Sequence, residues 1–299
     1  MIGFNTTMSE FVPMLRKLML PLRMLSVLLM LGLVYGCDDI TNPFADFSKK
    51  AEKAEEAGDM VAAAQWWTKA AEQGNAQAQY NLGKKYAGGE GVAEDDKQAV
   101  YWFTKAAEQG NVTAQGTLGI KYYYGDGVAQ DDKQAVYWWT KAAEQGSSSS
   151  QVNLGNAYRF GRGVAEDDKQ AVYWWTKAAE QGSAFAQVDL ANAYRFGDGI
   201  AQDDKQAVYW YTKAAEQNND TINKIKGFAS AHLGYMYANG EGVVEDIVKA
   251  HMWFNIAVAD GDYTAKLKKR RIEKRMSPSQ IEKAQDMARE CVAKNYKGC

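Results

Sequence analysis

Nearly the same twenty residues occur four times in this chain. They read GVAEDDKQAVYWFTKAAEQG at 91–110, GVAQDDKQAVYWWTKAAEQG at 127–146, GVAEDDKQAVYWWTKAAEQG at 163–182 and GIAQDDKQAVYWYTKAAEQN at 199–218, each copy starting 36 residues after the last. A partial copy, WWTKAAEQG, stands at 66–74, and a divergent one, GEGVVEDIVKAHMWFNIAVADG, at 240–261. A fixed period of this size constrains the fold more than any other feature. Each period is one supersecondary unit that can bury its apolar face only against its neighbours, so the chain is a stacked array.

Each unit reads as two helices. In AQAQYNLGKKYA at 76–87, Ala78, Leu82 and Tyr86 recur at i, i+4 and i+8 and form one face of a first helix, helix A. Gly89 and Gly91 end it, because a Gly-x-Gly pair supplies the left-handed backbone of a tight reversal. Asp95 opens helix B, its carboxylate accepting from first-turn amides, with Gln98 completing a capping-box pattern. Asp131, Asp167, Asp203 and Asp246 are read as caps in the same way. Ala99, Trp102, Ala106 and Ala107 form the buried stripe, and Gly110 closes the helix; Asn218, the next residue most tolerant of a left-handed cap, replaces that glycine in the fourth copy. The pairs Leu82-Gly83, Leu118-Gly119, Leu154-Gly155 and Leu190-Ala191 keep a small residue where helix backbones approach.

The series L-G-x-x-Y, G-x-G-V, D-x-x-K/Q-A and W-x-x-K-A-A-E-Q-G resembles the Sel1-like repeat, a relative of the tetratricopeptide repeat. It is carried by Leu82, Gly83, Tyr86, Gly89, Gly91, Val92, Asp95, Ala99, Trp102, Lys105, Ala106, Ala107 and Gly110 and their equivalents in later copies. The resemblance implies an all-α, right-handed α/α solenoid of about five to six helix-loop-helix repeats over 47–261, followed by capping helices over 262–299. Ser277 and Pro278 open one of these, MSPSQIEKAQDMARE. After Leu190-Ala191 the next pair is due at 226 and 227 but stands at Leu233-Gly234, so a seven-residue insertion, NNDTINKIKGF, bulges near 218–228.

The N-terminal 36 residues read as a targeting signal. Arg16, Lys17 and Arg23 precede an apolar run from Met24 to Val34. The uncharged stretch between Arg23 and Asp38 is 14 residues, shorter than the roughly 20 of a membrane span. Val34-Tyr35-Gly36-Cys37 resembles the lipobox of bacterial lipoproteins, which implies acylation of Cys37; an ordinary signal peptide with an incidental cysteine is the alternative. Asp38 and Asp39 resemble a signal for retention in the inner membrane. Residues 37–46 would then be a short tether. Without residues 1–36 the chain holds 32 Lys and Arg against 36 Asp and Glu, a balance that gives no reason to expect nucleic acid. In an oxidising compartment Cys291 and Cys299 either close a small loop or stay as free thiols.

Catalytic chemistry is sparse. His232 and His251 are the only histidines, with no cysteine cluster nearby. The acidic Gly-x-Gly loops lack calcium-loop ligand order, so neither a metal nor a cofactor is expected. The Trp pairs raise sugar stacking as an alternative, and KLKKRRIEKR at 266–275 raises contact with anionic headgroups against a solvated terminal helix.

Comparing the copies shows where they differ. Helix B is nearly constant, whereas helix A varies at Lys84, Ile120, Asn156, Asn192 and Tyr235, and at Tyr123-Tyr124, Arg159-Phe160 and Arg195-Phe196. In tetratricopeptide-like solenoids helix A lines the concave groove, so the resemblance implies that these residues bind a protein partner. Tyr and Arg are enriched at binding hot spots, although drift on an unconstrained surface would also vary them. The expectation is a non-catalytic, lipid-anchored adaptor on the periplasmic side of the bacterial envelope, regulatory or toxin-neutralising. A β-lactam-binding or hydrolysing enzyme, or a peptidoglycan binder, is the rival. The enzyme branch of the family carries paired cysteines in each repeat, which this chain lacks.

Overall fold

The computed structural model describes residues 43–217 and 223–299. Cys37 and the signal therefore lie outside the described residues. Fourteen helices follow one another, with no strand among the described residues: α1 Pro43–Glu56, α2 Met60–Glu72, α3 Ala76–Gly88, α4 Asp96–Glu108, α5 Val112–Tyr124, α6 Asp132–Glu144, α7 Ser148–Arg159, α8 Asp168–Glu180, α9 Ala184–Phe196, α10 Asp204–Ala215, α11 Asn223–Asn239, α12 Ile247–Ala259, α13 Tyr263–Glu273 and α14 Pro278–Ala293. Each helix through α12 packs on the one before and the one after. The pairs α3/α4, α5/α6, α7/α8, α9/α10 and α11/α12 are units 1 to 5 of an all-α repeat solenoid.

The aspartate caps form, but the capping box expected of Asp95 and Gln98 does not, because the Asp95 amide donates to the Tyr86 carbonyl instead. The Asp95 carboxylate accepts from the amides of Lys97 and Gln98, and Asp131, Asp203 and Asp246 repeat this double bond. The reciprocal capping box forms at Ser277 and Gln280, where Pro278 enters α14. In each Gly-x-Gly loop the second glycine has two reasons to be glycine. Gly163 has φ +71°, and a Cβ there would lie 2.2 Å from the Asp132 carbonyl oxygen, in the first turn of the preceding unit's helix B.

Two readings of the core need correction. Phe103, not Trp102, completes the stripe of Ala99, Ala106 and Ala107. Counted from Ala99, positions i+4, i+7 and i+8 share the face and i+3 borders it. The equivalents Trp67, Trp139, Trp175, Tyr211 and Phe254 are likewise buried. Trp102, Trp138, Trp174 and Trp210 are half-buried and pack on the preceding unit's core, tying the stack together. The insertion also does not simply bulge. Residues 223–228 are helical, so α11 has 17 residues where α3 has 13, while 218–222 lie outside the described residues. Within the added turn Lys226 is buried, 3.6 Å from Asp260 and 3.8 Å from the Tyr296 ring centroid.

A buried glutamine ladder runs through the array. Gln115 donates to the Ala107 carbonyl of unit 1 and accepts from Gln145 at 2.7 Å; Gln79 and Gln151 do the same in their units. At the C-terminal end Cys291 and Cys299 are joined in a disulfide, and Cys291 packs on the unit 5 core. His251 is fully buried, donating from Nε2 to Glu273 and accepting at Nδ1 from Asn255.

Candidate partner-binding site

The variable positions of helix A separate into two kinds. Some are committed to holding units together. Arg159 donates to Asp168 at 2.8 Å and to Asp198 of unit 4 at 2.9 Å. Both carboxylates favour the charged guanidinium and, outweighing burial, raise its pKa. Arg195 donates to Glu241 of unit 5 and to His232 Nδ1, with its guanidinium 4.5 Å from the Tyr235 ring centroid and 5.2 Å from that of Phe196. Asn156 accepts from the Trp175 indole, and Asn192 from the Tyr211 hydroxyl. In units 1 and 2 the cation sits two positions earlier: Lys85 reaches Glu55 and Glu90, and Lys121 reaches Asp96 and Asp126. Lys84 is exposed, as is Phe196 at the rim of the Arg195 cluster.

Arg159 and Arg195 were read from the sequence as partner-facing; their placement is a correction. At their positions the neighbouring unit's loop presents an acid, and the nearer interaction wins. His232 belongs to the Arg195 cluster and is half-buried. It stacks on Tyr211 with centroids 4.9 Å apart and contacts Phe228. Burial first, and then Arg195 and Lys268, push its pKa down to about 4, consistent with a neutral ring accepting from Arg195.

The seam between units 2 and 3 is different. The middle residue of the five Gly-x-Gly loops is Glu90, Asp126, Arg162, Asp198 and Glu241. Four are acids that receive a helix-A cation. At Arg162 the two positions that would supply that cation are Ala157 and Tyr123. Arg162 instead lies over the rings of Tyr123 and Phe160, 5.5 and 5.6 Å from their centroids, and among the described residues it makes no ion pair. The loss of the usual cation also leaves Asp132 Oδ1 buried without a hydrogen-bond partner among the described residues. Ile120 replaces the Asn that serves Trp175, so Trp139 Nε1–H is likewise buried without a partner among the described residues.

These exchanges open a cleft of about 310 Å³ lined by Ile120, Tyr123, Tyr124, Asn156, Phe160 and Arg162, with Trp139 in its wall. Tyr124 and Phe160 are 67% and 63% exposed, and Tyr124 packs edge-on against Tyr123, 4.9 Å between centroids. The structure thus brings Ile120, Tyr123, Tyr124, Asn156 and Phe160 to one cleft and leaves Lys84, Asn192, Arg195, Phe196 and Tyr235 outside it. Arg162 was missed from the sequence, although the charge inversion within an otherwise acidic loop position was there to be read. Among the described residues no cluster of His, Cys, Asp and Glu is arranged to hold a metal, and no helix is long and apolar enough to cross a membrane.

The Sel1 repeat profile matches residues 55–75, 76–111, 114–147, 148–183, 184–219 and 228–262. The chain is similar to c5321, a protective antigen of uropathogenic Escherichia coli, with 32% identity and a TM-score of 0.69 over 86% of this chain and 57% of that one. It therefore spans little more than half of that relative's length. It is also similar to a Sel1 repeat protein from Oxalobacter formigenes, with 29% identity and a TM-score of 0.70 over 81% of this chain and 99% of that one. No curated protein sequence is matched. The profile covers well over half of the chain, which belongs to the Sel1 repeat family.

Proposed function

We propose that this chain is a non-catalytic adaptor of the bacterial envelope, held at the membrane by acylated Cys37 and binding a protein partner through its helix-A face at the seam of units 2 and 3. Sel1 repeats generally mediate protein–protein binding, and the proposal assigns that role to one seam. The observation that carries it is Arg162, a cation with no carboxylate among the described residues, set beside two largely exposed aromatic rings. Aromatic and Arg side chains in one cleft supply large contact area at low entropic cost and dominate interface energetics. The Arg further selects a partner segment bearing a carboxylate. Because α1 begins at Pro43, the tether is residues 38–42 and not 38–46 as the sequence suggests. An anchor at Cys37 then keeps the array within about 20 Å of the bilayer, which suits a partner on the periplasmic face of the inner membrane.

The test is co-purification of the full chain from native membranes beside the triple variant Tyr124→Ala, Phe160→Ala, Arg162→Ala. A protein enriched by the parent and lost from the variant supports the adaptor reading, and its identity distinguishes a regulated enzyme from a toxin. A partner retained equally by both removes the cleft from the account.

A further inference from the structure

The unit 2/3 cleft does not involve the most basic segment of the molecule. Helix α13, YTAKLKKRRIE, holds five Lys and Arg against one Glu, and Lys274 and Arg275 follow directly. Its inward face is fixed: Ala265 and Ile272 are buried against Ala231, Ala250, Phe254 and Ala257, and Glu273 is engaged by His251 and Lys269. Tyr263, Lys266, Leu267, Arg270 and Lys274, at i, i+3, i+4, i+7 and i+11, share the opposite face. All five are exposed. Tyr263 and Leu267 are 88% and 70% exposed, an unusual load of apolar surface for a helix already docked on a core. The three cations of this face appear in no ion pair among the described residues, whereas Arg275, off the face, pairs with Glu245.

We infer that this face docks on an anionic membrane surface, with Tyr263 and Leu267 entering the headgroup boundary and Lys266, Arg270 and Lys274 meeting lipid phosphates. The occupant follows from complementarity. A helix with two apolar side chains set among unpaired cations matches an interface that is apolar below and anionic above. A protein partner would need an acidic rim around an apolar pocket, and a soluble phosphate would leave Tyr263 and Leu267 in water. The inference does not depend on acylation of Cys37 or on the unit 2/3 cleft.

The test is hydrogen–deuterium exchange on the full chain reconstituted into nanodiscs of phosphatidylcholine alone or of phosphatidylcholine and phosphatidylglycerol in equal parts. Docking predicts that amides of 263–274 exchange more slowly on the anionic discs, by up to about a hundredfold, from about 1 kcal/mol for each of the three cations near such a surface. High salt should remove the slowing. The variant Lys266→Glu, Arg270→Glu, Lys274→Glu should lose it with exchange in α3 to α10 unchanged, which separates loss of docking from loss of fold. Leu267→Ser should retain only part of it. Equal exchange on both discs overturns the inference. So does the same slowing on phosphatidylcholine discs with added inorganic phosphate, which would make the cations a soluble-anion site.

Discussion

At the seam of units 3 and 4, Arg159 spans two carboxylates, and the Trp175 indole has Asn156 as acceptor. At the seam of units 2 and 3, one repeat earlier, Tyr123 stands in place of that Arg, Arg162 in place of the acid, and Ile120 in place of the Asn. The backbone frame is shared: Gly163 and Gly199 both have φ +71° and would both drive a Cβ into a carbonyl oxygen of the preceding unit. The side chains at the seam have changed on that frame. A seam closed by ion pairs spends its polar groups on stacking the array, whereas the exchanged seam leaves two exposed rings and, among the described residues, a cation without an ion pair and two buried polar atoms without hydrogen-bond partners. Repetition makes this visible, because each unit is a control for the next.

The largest effect expected is on the shared frame. Gly163→Ala combines left-handed strain with a backbone clash and should cost roughly 3 kcal/mol. Gly146→Ala, at φ +92° with nothing within 4 Å of a Cβ, should cost only the strain, about 1–2 kcal/mol. Thermal unfolding of the two variants compares them directly, and equal losses would mean that the close approach between units is not maintained.

Next come the two arginine classes. Arg195→Ala removes bonds to Glu241 and His232 from a side chain that is 12% exposed, and should cost about 2–3 kcal/mol. Arg162→Ala should stay within about 0.5 kcal/mol while weakening partner capture. If the stability costs were reversed, the division into structural and binding arginines would fail.

Ile120→Asn sharpens the comparison, because it restores the acceptor that Trp175 enjoys. Satisfying the Trp139 indole should raise stability by about 1 kcal/mol and, by removing apolar surface from the cleft, lower partner affinity. Denaturant unfolding and capture, measured on the same variant, should move in opposite directions.

The smallest net effect comes from two titrations near unit 4 that act in opposite directions. His232, with its pKa lowered from 6.5 to about 4, is neutral when folded but takes a proton when unfolded. It therefore destabilises the fold as pH drops from 6.5 towards 4. Burial raises Asp189 from 3.8 to about 6, so its contribution is fully present below 3.8 and lost as pH rises through 6. The two oppose each other across one window. His232→Asn should flatten the acid-side loss of stability, and Asp189→Asn should steepen it. Parallel shifts in the two variants would show that the pair does not titrate independently.

The stack, its caps and its period were legible in the sequence because they recur: Asp95 and its equivalents, Gly91 and its equivalents, and Leu82-Gly83 say the same thing several times. The site was half legible. Variation pointed to helix A and so to Tyr123, Tyr124 and Phe160, but variation alone cannot tell a free Arg from a paired one. Arg159 and Arg195 face acids 39 and 46 residues away, a pairing that depends on the rise from one unit to the next and on no local pattern. Phe103 was hidden for a different reason, since two adjacent aromatics compete for one stripe and the register decides between them.

The central claim is that the partner sits on the exchanged seam, and photo-crosslinking in native membranes tests it most directly. A benzoylphenylalanine in place of Tyr124, which is 67% exposed on helix A in the cleft, is compared with one in place of Tyr173, which is 49% exposed on helix B. The account predicts a discrete protein adduct from position 124 and none from position 173. An adduct from 173 with none from 124 would contradict it and move the binding face to helix B.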